Sequence, residues 1–188
     1  MKTMIKTIGF DMDGVIIDHT EPKMRLAAKR GFSLTPEQTP SSVIREHIPE
    51  PALRELLEEL YEDPGIALHS PLLPGAAEGL ARVKASGIPF YLISRRRNPE
   101  VAVQILKKQG LWPAYFTEAN AFFVKEPIDK EVHARRLGVT DYVDDEIRIL
   151  NVLASVKNKF LFDQHGIFPH VHEFSRVNNW TELLGKLL

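Results

Sequence analysis

The chain has 188 residues, a formal net charge of −1, 44% hydrophobic residues, 26% charged residues and no cysteine. This balance of charge excludes a general affinity for nucleic acid or membrane surfaces, and the lack of cysteine excludes disulfides and thiolate chemistry. No apolar run is long enough to span a bilayer and no signal-peptide pattern opens the sequence, so we expect a cytoplasmic protein of one domain.

The first predicted element is a buried strand over residues 4–10, an apolar run that ends at Asp11. Residues 16–72 contain no convincing strand and indicate helices instead. The clearest helix follows Glu50-Pro51 and has apolar residues at the spacing of one helical face, namely Leu53, Leu56, Leu57, Leu60 and Tyr61. We expect residues 18–72 to form a small helical insert packed over an edge of the sheet.

From Pro74 onward, predicted helices alternate with predicted strands. The strands are expected at 88–93, at either 114–117 or 122–124, at 142–143 and at 159–162. Gly87, Gly110 and Gly138 stand where three of the helices end. Strands that alternate with helices imply right-handed crossovers and a parallel sheet. The predicted fold class is therefore α/β, a doubly wound, Rossmann-like core of residues 1–17 and 73–188.

Polar side chains stand at or just beyond the ends of four predicted strands. They are Asp11 and Asp13, then Ser94, then Lys125 and Lys130, and finally Asp144 with Asp145. In open α/β sheets, ligands bind at the carboxyl ends of the strands. Carboxylates as close as Asp11 and Asp13 repel each other unless a cation or a proton intervenes, and Mg²⁺ prefers oxygen ligands and phosphate partners. A calcium loop does not fit, because Val15 and Pro22 occupy positions where that loop needs other residues.

Four short motifs, in this order, resemble those of the haloacid dehalogenase superfamily of phosphotransferases. They are Phe10-Asp11-Met12-Asp13-Gly14-Val15, Tyr91-Leu92-Ile93-Ser94, a lysine, and Tyr142-Val143-Asp144-Asp145. Leu73-Pro74-Gly75, followed by an amphipathic helix, also resembles the place where the chain of that family returns from its cap. The resemblance covers nearly the whole sequence, and it implies that the helical insert is a cap over the site.

The resemblance implies a role for each motif residue. Asp11 would be the nucleophile that forms an aspartyl-phosphate, and Asp13 would be the general acid and base. Mg²⁺ would bind Asp11, the backbone carbonyl of Asp13 and Asp145, and Asp144 would support this site. Ser94 would donate a hydrogen bond to a phosphate oxygen, and a lysine would supply positive charge.

Several residues keep more than one interpretation. The phosphate-site lysine is either Lys125, after an apolar run, or Lys130, in the first turn of the next helix, and the sequence slightly favours Lys130. The arginines at 95–97, with Arg95 nearest the strand end, would bind a substrate's second phosphate or a nucleic-acid strand, although such runs are more often solvated loops. His170 and His172 offer a weaker, separate metal-binding hypothesis.

Asp13 favours a phosphatase or a phosphomutase, because the dehalogenases of the superfamily lack an acid at this position. We expect a Mg²⁺-dependent phosphatase that acts on a small phosphorylated metabolite, such as a nucleotide or a sugar phosphate. The alternatives are a phosphomutase, a polynucleotide end phosphatase that uses the arginines at 95–97, and a non-catalytic phosphate-binding domain. The sequence names neither the substrate nor the oligomeric state.

Overall fold

The computed structural model describes residues 5–169 and 173–188. Its strands are β1 (Ile8–Phe10), β2 (Phe90–Arg95), β3 (Ala121–Val124), β4 (Asp141–Asp144), β5 (Asn158–Phe162) and β6 (Ser175–Val177). They form one parallel sheet in the order β3-β2-β1-β4-β5-β6. Because the chain winds outward in both directions from β1, the sheet is doubly wound, which confirms the predicted fold class.

Helices cover both faces of this sheet. The described residues form α1 (Thr20–Lys29), α2 (Glu50–Glu62), α3 (Pro64–Ala67), α4 (Ala76–Ala85), α5 (Pro99–Lys108), α6 (Pro127–Leu137), α7 (Ile147–Val152) and α8 (Trp180–Leu187). Tyr142 and Val143 are neighbours on β4, yet they belong to separate buried clusters, because successive side chains of a strand point to opposite faces. None of the helices in the described part of the chain is long and apolar enough to cross a membrane.

Three strands differ from the sequence prediction. β1 covers only Ile8–Phe10, so residues 5–7 of the predicted first strand lie outside it. β2 begins at Phe90 and ends at Arg95, so Ser94 lies within the strand and not just beyond it. β6 was not predicted, because its three residues carry no apolar run and pair only with the edge of β5. The third strand is the second of the two predicted options, since it ends at Val124.

The insert has a hydrophobic core of its own. Eight buried side chains from residues 26–60 pack together there, and they come from α1, α2 and the turns between these helices. The two segments that connect the core to the insert, residues 16–18 and 71–73, are hydrogen-bonded to each other. The Asp18 amide donates to the Pro71 carbonyl and the Leu73 amide donates to the Ile16 carbonyl, each at 2.8 Å. The division at residues 17 and 73 remains a prediction, and this pairing lies where the division was expected.

A tryptophan near the C-terminus packs against the first strand and the turn that follows it. The Trp180 ring stacks on Phe10 with centroids 5.6 Å apart, and its indole N–H donates to the Val15 carbonyl at 2.8 Å. Gly79 on α4 makes room for the indole, since a Cβ atom there would lie 2.1 Å from Trp180 Cε3. This packing holds the backbone just beyond the two aspartates.

Candidate active site

The sheet brings the polar strand ends together at one edge. Phe10 on β1 lies opposite Leu92 on β2 and Val143 on β4, so the residues that follow on all three strands emerge side by side. The Asp11 amide donates to the Val143 carbonyl at 2.9 Å, which fixes the first aspartate beside the end of β4. The central position of β1 thus places Asp11 between the groups contributed by its two neighbours.

Lys130 lies between two of these carboxylates. Its ammonium is 2.8 Å from Asp144 Oδ2 and 3.0 Å from Asp11 Oδ1, and the residue is only 1% exposed. Burial alone would lower the pKa of Lys130, but the charges of Asp11 and Asp144 raise it well above its usual value. Lys130 is therefore a fixed positive charge beside Asp11. Lys125, the other candidate, is exposed and does not line the cleft.

Three carboxylates fit a hard metal ion. Asp11, Asp144 and Asp145 each offer an oxygen, and these oxygens all lie within 4.8 Å of one another. Asp145 makes no hydrogen bond or salt bridge with the described residues, and burial followed by repulsion from Glu146 and Asp144 raises its pKa well above the usual range. A cation there would relieve this repulsion. Oxygen ligands of this kind suit Mg²⁺.

Three buried polar atoms near this edge lack hydrogen-bond partners within the described residues. They are Asp11 Oδ1, whose contact with Lys130 is an ion pair but not an aligned hydrogen bond, Ser94 Oγ and Arg96 Nε. Buried polar groups normally have a hydrogen-bond partner, so these atoms are able to pair with water or with a ligand. A metal ion and a phosphate oxygen are suitable partners for Asp11 Oδ1 and Ser94 Oγ, respectively.

The carboxylate of Asp13 is held apart from the three candidate metal ligands. Arg96 Nη2 and His19 Nε2 each lie 2.6 Å from the same oxygen, Asp13 Oδ1. Burial would raise the pKa of Asp13, but the charges of Arg96 and His19 and their hydrogen bonds outweigh burial and hold it well below the usual range. The other oxygen, Oδ2, has no hydrogen bond from the described residues and remains available to a substrate or a water molecule.

His19 connects Asp13 to the far end of the insert. Its Nδ1 lies 3.0 Å from Ser70 Oγ, and burial lowers the pKa of His19, with Asp13 opposing this effect. Both contacts are satisfied when Nε2–H donates to Asp13, because the Ser70 hydroxyl can donate to Nδ1 or accept from it. These contacts fix the orientation of the His19 ring and of the Asp13 carboxylate.

The three arginines at 95–97 occupy three different environments. Arg96 is 4% exposed, and its guanidinium lies 4.7 Å from the ring centroid of Tyr61 on α2. The interpretation of the whole run as a solvated loop is therefore wrong for Arg96, which joins the core to the insert. Arg95 is exposed and lines the cleft, whereas Arg97 is exposed and does not. The alternation of side chains along a strand end, which places residues 94 and 96 on one face, could have indicated this difference.

A cavity of about 110 Å³ separates these groups from the insert. Asp11, Lys130 and Asp145 line it from the core, and Lys23 and Tyr61 line it from the insert. Sequence reasoning missed Lys23, because nothing in its local pattern distinguishes it from a surface lysine. His170 and His172, the separate metal-binding hypothesis, lie outside the described residues.

The comparisons with known proteins agree with this architecture. A family model described as haloacid dehalogenase-like hydrolase matches residues 5–148. No protein of curated function matches the sequence.

Three solved structures illustrate how far the fold is shared. A HAD hydrolase of family IA, variant 3, from Entamoeba histolytica is 16% identical, with a TM-score of 0.65 over 97% of this chain and 99% of that chain. A dehalogenase is 17% identical, with a TM-score of 0.65 over 99% and 98% of the two chains. A predicted phosphoglycolate phosphatase from Haemophilus somnus 129pt is 14% identical, with a TM-score of 0.61 over the full length of both chains. At these identities the likeness shows the fold alone.

Proposed function

The chain belongs to the haloacid dehalogenase-like hydrolase family, and we propose that it is a Mg²⁺-dependent phosphatase that acts on a small phosphorylated metabolite through an aspartyl-phosphate. The observation that carries this proposal is the position of Asp11. Its Oδ1 lacks a hydrogen-bond partner among the described residues, it lies 3.0 Å from the Lys130 ammonium, and it belongs to the set of three clustered carboxylates.

In the first step, a carboxylate oxygen of Asp11 attacks phosphorus, and the bond from phosphorus to the leaving oxygen breaks. Lys130 holds positive charge beside the nucleophile, and Ser94 Oγ offers a hydrogen bond to a phosphoryl oxygen. When bound by Asp11, Asp145 and Asp144, Mg²⁺ supplies charge neutralisation to the phosphoryl group.

Asp13 is the proposed proton carrier. In the second step a water molecule attacks the phosphorus of the aspartyl-phosphate, and an ionised Asp13 accepts its proton at Oδ2. The bond from phosphorus to the Asp11 oxygen breaks, which frees phosphate and restores the Asp11 carboxylate. The pairing with Arg96 and His19 favours this ionised form. In the first step Asp13 must instead deliver a proton to the leaving oxygen, which requires a weaker hold by Arg96. Asp13 therefore does its two tasks best when the Arg96 contact differs between the two steps.

Two alternatives lose support within this arrangement. An acid at position 13 favours a phosphatase over a dehalogenase, although one of the similar structures is a dehalogenase. The polynucleotide alternative depended on a continuous basic run at residues 95–97. Arg96 forms a buried ion pair with Asp13, so this run does not present three free arginines to a nucleic-acid strand. A small cavity instead favours a small phosphorylated molecule.

The test is phosphate release from p-nitrophenyl phosphate with Mg²⁺ or with a chelator, alongside chloride release from 2-chloropropionate. We expect Mg²⁺-dependent phosphate release that falls by several orders of magnitude in Asp11→Asn, since the nucleophile is lost. A fold control is the thermal unfolding of Asp11→Asn. Chloride release without phosphate release, or phosphate release that survives Asp11→Asn, would overturn the proposal.

A further inference from the structure

Lys23 is a buried cation without a carboxylate partner among the described residues. It lies on α1 and is 6% exposed, and its Nζ donates to the Thr39 carbonyl at 2.9 Å. An ammonium group has three donors, so two remain unused by this contact. Burying a charge is costly unless it is paired and fully hydrogen-bonded. Lys23 lines the cavity, so its unused donors can be met by a ligand there.

The acids around Lys23 do not form ion pairs with it. Burial lowers the pKa of Lys23, and four acids beyond salt-bridge distance oppose this effect, namely Asp145, Asp13, Glu146 and Asp18. Three of these acids are paired with other groups: Asp13 with Arg96 and His19, Glu146 with Arg148, and Asp18 with the Thr20 amide and Gln164. The fourth, Asp145, forms no ion pair with Lys23 and belongs to the set of three carboxylates that fit a metal ion. Lys23 is therefore a buried cation of the cavity that forms no ion pair with the described side chains around it.

Its position separates Lys23 from the phosphoryl site. Lys130 and Ser94 belong to the core, near the strand end that carries Asp11. Lys23 belongs to the insert and, with Thr39 and Ser41, lines the cavity that Lys130 lines from the core. A substrate that spans the cavity would present its phosphoryl group to the core and its leaving group to the insert. The insert side thus offers a cation to whatever the leaving group carries.

We propose that Lys23 binds a second anionic group, a carboxylate or a second phosphate, on the leaving group of the substrate. The inference rests on the proposed function, because the attack by Asp11 is what places the phosphoryl group at the core and the leaving group at the insert. It names a substrate class, phosphomonoesters with an additional anion close to the ester oxygen. An uncharged leaving group would leave Lys23 in the cavity without a counter-charge.

The test measures binding in the presence of Mg²⁺ with phosphonates, which the enzyme cannot hydrolyse. Calorimetry compares propylphosphonate with 3-phosphonopropanoate and with propane-1,3-bisphosphonate, and then compares the homologues that are one and two methylenes longer. For at least one chain length, we expect the ligand with a second anionic group to bind wild-type protein at least about tenfold more tightly than the alkylphosphonate of the same length. The reason is that charge-assisted hydrogen bonds are the strong ones. The carboxylate and bisphosphonate arms identify which anion is preferred.

Variants of two lysines on the same helix assign the effect. The ratio to compare is the dissociation constant of the alkylphosphonate divided by that of the ligand with a second anion. Lys23→Met is expected to bring this ratio close to one, and Lys23→Arg is expected to keep most of the wild-type ratio. Lys29→Met is the matched control, because Lys29 has a side chain that is 55% exposed and faces Glu59 at 3.8 Å. The Lys29→Met protein should keep the full ratio, and thermal unfolding reports whether each variant is folded.

The outcomes separate this inference from the proposed function. A ratio near one for wild-type protein at every chain length overturns the role of Lys23 without any variant. So does an unchanged ratio in folded Lys23→Met protein. Hydrolysis by wild-type protein is measured in parallel for p-nitrophenyl phosphate and for the phosphate monoester of 3-hydroxypropanoate, whose leaving group carries a carboxylate. If neither ester is hydrolysed while the binding ratio holds, the anion site stands and the phosphatase proposal falls. If hydrolysis is observed while the binding ratio is near one, the phosphatase proposal stands and the anion site falls.

Discussion

Arg96 Nη2 lies 2.6 Å from Asp13 Oδ1, an ion pair between residues that are 83 positions apart in the chain. The Arg96 guanidinium also lies over the ring of Tyr61, which belongs to the insert. The side chain that sets the charge of the second aspartate is thus packed against the insert. Any movement of the insert would change the surroundings of Arg96, and through Arg96 the readiness of Asp13 to take or release a proton.

Replacing Arg96 by methionine should shift the pH dependence of the reaction. The Arg96 charge holds the pKa of Asp13 low, so its removal favours the neutral carboxyl and raises that pKa. The base step needs ionised Asp13. Hydrolysis of the aspartyl-phosphate contributes to kcat, so we expect the acidic limb of the profile of kcat against pH to move to higher pH for p-nitrophenyl phosphate.

The matched control is Arg97→Met, which removes an exposed arginine from the same run. This variant should keep the wild-type profile. A purely structural role for Arg96 would lower activity evenly across the pH range and would leave the acidic limb in place. That result would contradict the link between Arg96 and Asp13.

Substituting the two candidate lysines identically should decide between them. Lys130→Met leaves Asp11 and Asp144 facing each other without their shared cation, and it should lower kcat by about a hundredfold to a thousandfold, the cost of removing one charge-stabilising donor. Lys125→Met should keep wild-type activity, because Lys125 is exposed and away from the cleft.

The same pair of variants gives a stability readout. Removing one partner from a buried ionic group costs about 3–5 kcal/mol, so Lys130→Met should unfold at a lower denaturant concentration in the absence of metal. Lys125→Met should not. Equal activity losses in the two variants would refute the assignment of Lys130.

Gly14→Ala should weaken metal binding. Gly14 has φ +75°, and a Cβ atom there would lie 2.4 Å from Asp145 Oδ2. The methyl group would have to displace the carboxylate that is free to bind a cation, so we expect the dissociation constant for Mg²⁺ to rise by about tenfold or more. Calorimetric titration with Mg²⁺ measures the change.

Backbone strain alone must be separated from this clash. Gly87→Ala supplies the control, because Gly87 has φ +72° and a Cβ atom there would meet no other group of the described residues within 4 Å. Both variants should lose about 1–2 kcal/mol of stability from the left-handed backbone. Only Gly14→Ala should lose Mg²⁺ affinity, and equal affinity in the two variants would show that Asp145 is not displaced.

Mg²⁺ affinity should rise with pH. Burial raises the pKa of Asp144 to about 7, with Lys130 opposing this effect. Below that value a proton occupies a carboxylate of the metal cluster and must leave when the metal binds. We therefore expect the dissociation constant to fall from about pH 6 to about pH 8 and then to level off, with proton release on binding at the lower pH.

Calorimetry in two buffers of different ionisation enthalpy measures the released protons directly. Thermal unfolding gives an independent check, because a ligand that binds only the folded state stabilises it more as its affinity rises. Mg²⁺ should therefore raise the unfolding temperature more at pH 8 than at pH 6. An affinity that does not change over this range would show that no ligand of the cluster is protonated there.

Local sequence was sufficient for the sheet and for the aspartates. The apolar runs before Asp11 and Asp144 predict buried strands, because a short run of consecutive apolar residues is the local sequence pattern of a buried strand. The alternation with helices then implies parallel strands whose ends meet. Asp11, Asp144 and Asp145 come together at that edge, as the strand ends predicted. The three-residue β6 escaped prediction, because an edge strand this short carries no such run.

Tertiary structure alone decided the charges around those aspartates. Lys125 and Lys130 are five residues apart and the sequence only slightly favoured Lys130, yet Lys125 is exposed whereas Lys130 is 1% exposed. Arg96 meets Asp13 from a different strand, and Lys23 is buried by the folding of the insert upon the core. Burial and long-range pairing depend on how distant segments pack, so a local pattern of residues does not encode them. The sequence thus determined which carboxylates gather at the edge of the sheet, and the packing of distant segments determined which cations lie beside them.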